Sequence, residues 1–443
     1  MAIMSRPQPS IAIVGAGLGG LALALSLAPA AIASRITIFE LRSCGAHDGG
    51  YLALAPNALY QLDQLGLYQT LLPQGFAYEE LHFLSGRGKG TSRIGSVLNG
   101  SRTKYGYSAL RISRHIVRQT LLKAVEEDSS IELKFNKKLV DVVESTDYNA
   151  CEEKVSLSFA DGSNDVFDYV IGADGIHSRV RRLISKVEPT FAGQMGIGGG
   201  QIPRSSLPAD QPLPCLLVGR TNGFMMMPTV ADGSSVAAFA TVEVEPRSRE
   251  DWAKLAADKE EQAHMLQQRH CGGGSEWPQI VQQACKSMSE PQLRESLTIW
   301  PFFHAPELES YMTPSSRVIL LGDAAHAMPP TGGQGAAMAL EDAASLARVF
   351  ARVVTESGDV HIDLVDALQR WQSSRQTRCK KVKAFTTKGG DMRKATPSVW
   401  RQILKEWVMW AFFLVKGKDG GFGWIYGHRE KGPHTFEEGK LVE

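Results

Sequence analysis

The sequence predicts an α/β protein, on three observations. A short β-branched run at residues 11–14 leads into a glycine-rich turn and an alanine-rich helix. Far downstream, a second apolar run at 317–321 ends in Gly322-Asp323 and is followed by another helix that opens on glycines. Between the two, from about 191 to 303, short apolar stretches separated by turn residues read as a sheet of a different kind.

A chain of 443 residues suits two or three packed units. Lys and Arg number 48 against 47 Asp and Glu, a formal charge of +1, so no overall field would hold a polyanion and nucleic acid is not an expected partner. With 43% hydrophobic residues the chain reads as ordered and globular. Its six cysteines (Cys44, Cys151, Cys215, Cys271, Cys285 and Cys379) form no C-x-x-C pair, which predicts reduced thiols in the cytoplasm and neither a zinc ribbon nor a redox dithiol. The histidines form no H-x-x-x-H pair, so no metal is expected.

Residues 11–33 carry no charge and would attract a hydropathy window. Pro29 and the glycines Gly15, Gly17, Gly19 and Gly20 favour a strand, a turn and a helix over one lipid-facing helix. In Gly15-Ala16-Gly17-Leu18-Gly19-Gly20, Gly15 permits the sharp turn, Gly17 lets a pyrophosphate approach the backbone, and Gly20 lets helix and strand pack closely. Residues 35–39 read as the next strand. Glu40, twenty positions past Gly20, can accept hydrogen bonds from adenosine ribose hydroxyls and disfavours a 2′-phosphate there. The order strand, glycines, helix, strand, acid predicts dinucleotide binding.

In the downstream turn Asp323 can bind hydroxyls of a sugar-like chain. The helix from Gly332-Gly333-Gln334-Gly335 to about Val354 directs positive partial charge from Gly335 and Ala336 to where a reduced flavin becomes anionic. A third stretch, 168–181, enters a Gly-Ala-Asp174-Gly turn and then a basic helix start.

These three motifs, in this order, resemble those of the group A flavoprotein monooxygenases, relatives of para-hydroxybenzoate and salicylate hydroxylases. The resemblance implies a Rossmann-like FAD-binding domain (1–80, 105–185 and 304–355) with an inserted β-sheet substrate domain (81–104 and 186–303) and a C-terminal helical region (356–443). It implies non-covalent FAD, NADPH or NADH as co-substrate, and O2. The reaction would place one oxygen atom on an electron-rich aromatic, polycyclic or alkene substrate through a flavin hydroperoxide, by hydroxylation or epoxidation. A fungal-type tailoring role in secondary metabolism fits the same resemblance. It also implies FAD contacts at Asp174, at Arg114, and along the small-residue segment 49–57 around Gly50, with Tyr51 and His47 as places to look for departures. From the residues alone, Ser113 reads as the cap of a helix with Val117, Leu121, Leu122 and Val125 on one stripe.

Relatives that hydroxylate phenols place an arginine shortly after a Phe-x-Gly. Here Phe191-Ala192-Gly193 is followed by Gly198-Gly199-Gly200, with Arg204 only later, which argues against phenolate activation from that strand. Strands are expected at 201–203, 215–218, 224–227 and 236–242, with Met225 and Met227 on one face and Met226 on the other. No catalytic side chain is assigned, and His326 reads equally as structural. Neither the halogenase Trp-x-Trp-x-Ile-Pro nor a cysteine pair is present. A dinucleotide-sensing regulator without catalysis is the alternative reading.

Beyond about Arg348 the chain reads as helical. Arg378, Lys380, Lys381 and Lys383 suggest a solvated face. The apolar run 407–415 is too short to span a bilayer, so a core or lid helix is expected, with membrane-surface contact as the alternative. Trp424-Ile425-Tyr426-Gly427 should dock onto the body, and residues 429–443 should fray.

Overall fold

The computed structural model describes residues 8–30, 32–46, 49–88, 90–147, 152–271, 276–355 and 363–432. Its strands are β1 (Ser10–Val14), β2 (Arg35–Phe39), β3 (Tyr51–Leu54), β4 (Phe76–Tyr78), β5 (Glu80–Ser85), β6 (Arg93–Leu98), β7 (Ala109–Ser113), β8 (Ile131–Lys134) and β9 (Leu139–Asp147). They continue with β10 (Glu152–Phe159), β11 (Asn164–Phe167), β12 (Tyr169–Gly172), β13 (Thr190–Pro203), β14 (Cys215–Val218), β15 (Gly223–Pro228), β16 (Ser235–Glu243), β17 (Thr298–His304) and β18 (Val318–Leu320).

Strands β18-β12-β1-β2-β8 form a parallel sheet. Both its faces are covered, so the strands carry unbroken apolar runs such as Ile11-Ala12-Ile13-Val14. The helix Leu18–Leu27, apolar but for Ser26, follows the glycine turn, and its glycine face packs on the helix Gly335–Thr355, where a Cβ on Gly19 would lie 3.2 Å from that of Ala339. The antiparallel sheet β11-β10-β9 adds Phe159 and Phe167, whose rings lie 4.6 and 5.8 Å from that of Phe39. In a parallel sheet the loops at the carboxyl ends of the strands are where a ligand sits. Here those loops hold the glycine turn, Glu40, Asp174 and Asp323.

A second sheet, β17-β13-β16-β15-β14-β5-β6, has seven strands and is mostly antiparallel. The alternation expected at 224–227 holds: Phe224 and Met226 pack with Trp252, Leu266 and Val281 of the helices behind the sheet, while Met225 and Met227 join Leu216, Val218, Tyr78 and Ala109 on the other side. That side therefore faces the small sheet β3-β7-β4. Along β7, Leu110 and Ile112 enter the core of the parallel-sheet unit, and Ala109 and Arg111 point the opposite way, into the space between the two sheets.

The C-terminal region corrects three expectations. The run 407–415 lies within the helix Val399–Lys416, whose buried residues are Gln402, Glu406 and Met409, while Trp407, Val408, Leu414 and Val415 are exposed, so it is not a core helix. The seat it occupies, beside Ser85 and Arg87, offers hydrogen-bonding groups that suit Glu406 better than a hydrocarbon. Arg378 is not on a solvated face: the long helix Leu364–Asp391 turns it inward to bond both oxygens of Glu341. The segment from Arg429 does not fray at once, because the Arg429 guanidinium stacks on Tyr60 and Tyr107 and Glu430 pairs with Arg375. As expected, the 424–427 segment docks, with Ile425 and Tyr426 buried. Residues 433–443, Cys151 and His47 lie outside the described residues.

Candidate FAD site

The three glycines of the first turn meet three different surroundings. Gly15 has φ +109°, and a Cβ there would sit 2.5 Å from the carbonyl oxygen of Ala173. Gly20 is pressed against the Gly15 carbonyl oxygen and Ile13, so only hydrogen fits between helix and strand. Around Gly17 no heavy atom lies within 4 Å of where a Cβ would be. The turn thus offers open backbone at its middle glycine, beside the start of the helix Leu18–Leu27, which is what a pyrophosphate needs.

Glu40 is buried at the end of β2. Its Oε2 accepts from Ala16 N–H at 2.7 Å and its Oε1 from Arg42 N–H at 2.9 Å. Oε1 also accepts from Arg42 Nε at 3.2 Å, so the carboxylate is fixed against the glycine turn and keeps a lone pair on Oε2 for a further donor.

Asp174 follows β12. Its Oδ2 accepts from the backbone N–H groups of Arg179, at 2.7 Å, and Val180, and its Oδ1 finds no partner among the described residues. Burial pushes this carboxyl above its ordinary pKa. One of the segment's cations is spent internally: buried Arg181 donates to Ala324 O at 3.1 Å and to Ile176 O at 2.7 Å, which ties this turn to the Gly322-Asp323 turn.

Asp323 is exposed at the first position of the short helix Asp323–His326. A Cβ on Gly335 would lie 4.0 Å from its Oδ1, so the acid faces the start of the helix Gly335–Thr355, where Gly335 and Ala336 are half-buried. Gly333, left-handed at φ +63°, approaches the Ala53 carbonyl. Buried Asn57 donates to Gln334 Oε1 and Glu341 Oε1 at 3.0 and 2.8 Å, which locks the 49–57 segment to the same loop. Gly50, at φ +85°, lies under the indole of Trp300, 3.1 Å from a Cβ position, and its carbonyl accepts from Arg114 N–H. Arg114 is exposed at the first position of the helix Arg114–Glu127, and Ser113 stands at the capping position without a side-chain cap bond.

Arg118 and Asp342 escaped the sequence reading of the site, which names His326 without its partner. Arg118, one helical turn after Arg114 and fully buried, donates from Nε to Ala16 O at 2.9 Å. Its signal was a cation beside the apolar stripe of Val117 and Leu121. His326 is held by Asp342, Nε2 to Oδ2 at 2.6 Å; Asp342 also accepts from Gly322 N–H at 2.8 Å and from Arg375 Nε at 2.7 Å. Burial alone would lower the His326 pKa, yet the Asp342 carboxylate holds it well above the ordinary value. His326 is thus a cationic strut of the turn. Glu341, His428 and Glu430 bring their ligand atoms within 4.8 Å of one another, but Arg375 and Arg378 already claim the carboxylates, so the cluster is an ion-pair network.

Arg111 and Arg393 differ from these. Both are buried, neither meets a carboxylate among the described residues, and the Nε of each is unpartnered there. Arg111 donates weakly to Tyr51 O, and Arg393 donates to Thr331 O at 3.0 Å. Burial pushes each guanidinium down to about 10. The Arg393 side chain packs on Gly223 of β15, two residues before Met225 on the same face, so both cations belong to the space between the sheets.

A family profile described as FAD binding domain matches residues 8–386. The chain belongs to this family, and within it to the group A flavoprotein monooxygenases. It is 28% identical over 389 residues to a 3-amino-4-hydroxybenzoate 2-monooxygenase of Streptomyces platensis, across 86% of this chain and 88% of that one. To the salicylate hydroxylase of Pseudomonas putida it is 27% identical over 414 residues, across 87% and 86%. Its fold is similar to that of Klebsiella pneumoniae HpxO, solved with FAD and uric acid, at a TM-score of 0.72 and 21% identity over 93% of this chain and 96% of that one. The protein is therefore an FAD-dependent monooxygenase, an oxidoreductase. No helix among the described residues is long and apolar enough to cross a membrane.

Proposed function

We propose that this monooxygenase consumes NADPH or NADH and places one oxygen atom from O2 on an electron-rich aromatic or alkene substrate, by hydroxylation or epoxidation, in the assembly of a natural product. One observation carries the reading: the open glycine turn, Glu40, and the Asp323–Gly335 pair share the carboxyl edge of one sheet, and a buried inter-sheet layer of methionine, aromatic and arginine side chains packs between the second sheet and the small sheet β3-β7-β4. The named relatives, which act on small hydroxylated aromatic acids, support it.

In this reading the backbone at Gly15, Gly17 and Gly20 receives the pyrophosphate of FAD, with Arg114 and Arg118 supplying positive charge. Glu40 takes ribose hydroxyls, Asp323 takes hydroxyls of the ribityl chain, and the N–H groups at Gly335 and Ala336 face the flavin ring. Gly50 offers backbone to the ring edge. Asp174 shapes the adjoining turn and serves the nicotinamide cofactor only indirectly. Bound FAD, once reduced, supplies activated oxygen. The chain supplies placement and dryness: Met225, Met227, Phe239 and Tyr78 exclude water and accept a bulky ring. Arg111 and Arg393 hold an anionic oxygen of the substrate, replacing the arginine that relatives carry on the strand after Phe-x-Gly. The unbridged described cysteines suit a reducing compartment such as the cytoplasm.

The test is substrate-stimulated NADPH and NADH oxidation by the FAD-loaded protein, screened over aromatic and indolic compounds, with product mass determined. A mass gain of one oxygen atom is expected. Cofactor oxidation indifferent to every compound, yielding only hydrogen peroxide, would reject it.

A further inference from the structure

The helix Val399–Lys416 is amphipathic the wrong way round for a soluble surface. Gln402, Glu406, Met409 and Phe413, spaced at helical repeats, turn inward. Gln402 Nε2 donates to Val218 O at 2.9 Å, and Glu406 accepts from Arg87 at 2.7 and 3.0 Å and from Ser85 Oγ at 3.0 Å. The polar residues are thus fixed on the buried side. The outward side carries Trp400, Leu404, Trp407, Val408, Ala411, Leu414 and Val415, with Trp400 80%, Leu414 68% and Val415 79% exposed. At 100° per residue these seven positions fill the whole arc opposite Gln402 and Glu406, with no polar residue among them. Single exposed apolar residues are ordinary, but a contiguous face with three tryptophans along it, counting Trp410 at its margin, marks a contact surface.

Charge selects the occupant. Arg401 and Lys416 are exposed on one flank of the face, with half-buried Lys405 between them donating to Lys394 O at 3.2 Å; the helix's single carboxylate is committed to Arg87, and nearby Asp419 is bound by Lys104 and Tyr105. Glu243 and Glu406 answer Lys405, so the uncompensated charge of the rim, among the described residues, is that of exposed Arg401 and Lys416. An antiparallel pair formed with a second copy through this face would bring the cationic flank against itself. A bilayer with anionic headgroups meets both requirements: acyl chains for the apolar arc, with tryptophans at the headgroup level, and phosphates or carboxylates for the rim.

We propose that this helix docks the enzyme on the surface of an anionic phospholipid membrane, lying in the interface without crossing it. The experiment is flotation of the FAD-loaded full chain with vesicles of phosphatidylcholine alone and of phosphatidylcholine mixed with phosphatidylserine, at low and high salt. Binding to the mixed vesicles, weakened by salt, is expected. Tryptophan emission should shift to the blue and be quenched by brominated acyl chains. The double substitution Trp407→Ser, Val408→Glu should lower partitioning by roughly tenfold or more, with the flavin absorbance retained. Arg401→Glu should remove much of the preference for the anionic vesicles while the helix still folds. Failure of the wild type to float with either vesicle overturns the proposal, as does equal flotation of wild type and double variant. A wild-type dimer by light scattering that the double substitution converts to monomer, with no vesicle binding, assigns the face to a second copy instead.

Discussion

His326 Nε2 lies 2.6 Å from Asp342 Oδ2, and this contact helps fasten the Gly322-Asp323 turn to the helix that begins at Gly335. The same carboxylate takes the Gly322 N–H and the Arg375 guanidinium, so three elements meet on Asp342. Asp342→Asn leaves two buried cations under-compensated. The expected cost is about 3–5 kcal/mol of unfolding free energy, read from urea denaturation, with weaker FAD retention by the folded fraction.

The pH dependence of that contact has a definite sign. His326 is raised in the folded state, so its stabilisation is fully present below its unfolded pKa of about 6.5 and is lost as pH rises toward the folded value. Asp342 is lowered, so its share is present above about 3.8 and is lost only in stronger acid. The stability gap between wild type and His326→Gln should be widest between about pH 4 and 6.5 and narrow above that. Unfolding curves over that range give the gap directly; a gap that widens with alkalinity would show His326 neutral.

Two substitutions in the glycine turn separate packing from ligand binding. Gly20→Ala drives a methyl into the Gly15 carbonyl and should destabilise the chain outright, seen as a lower melting temperature without FAD. Gly17→Ala meets no atom within 4 Å, so the FAD-free protein should melt as wild type does while FAD affinity falls by roughly tenfold or more. If the two behaved alike, the pyrophosphate role of Gly17 would be wrong.

Glu40 both fixes the turn and keeps a lone pair on Oε2 for a donor. Glu40→Gln retains one acceptor for the Ala16 N–H and loses the charge, so FAD should bind about ten to a hundred times more weakly. Fluorescence titration is the measurement.

Arg111 holds a buried charge with no carboxylate among the described residues to repay its desolvation. Arg111→Met should leave the melting temperature unchanged or higher. It should reduce the stimulation of NADPH oxidation by aromatic carboxylates more than by neutral analogues of the same size. Equal loss for both classes would remove Arg111 from substrate binding.

What could be read from the chain was what lies close together in it. The sequence Gly15 to Gly20, the strand from Arg35 and the acid at Glu40 carry their own local logic of turn, packing and period, and they fold accordingly. The pairing of Arg375 with Asp342, or of Arg118 with the carbonyl of Ala16, joins positions whose proximity depends on how helices cross, and no local pattern encodes that. The same limit misplaced Arg378, whose neighbours Lys380 and Lys381 look equally solvated in a list of residues. It also misread 407–415: hydrophobicity says that a segment avoids water, and only the fold says that Gln402 and Glu406 take the inner seat and leave Trp407 outside.

The sheet order β18-β12-β1-β2-β8 has a bearing on biosynthesis. The glycine-bearing helix Leu18–Leu27 leaves the ribosome long before Ala339, which covers Gly19, and β18, which covers the flank of β12. At roughly 5–20 residues per second, the nascent chain carries an uncapped strand edge and a bare apolar helix for on the order of tens of seconds. Chaperone capture in that interval, and a yield that responds to translation speed more than to the melting temperature of the finished enzyme, are the consequences for its production.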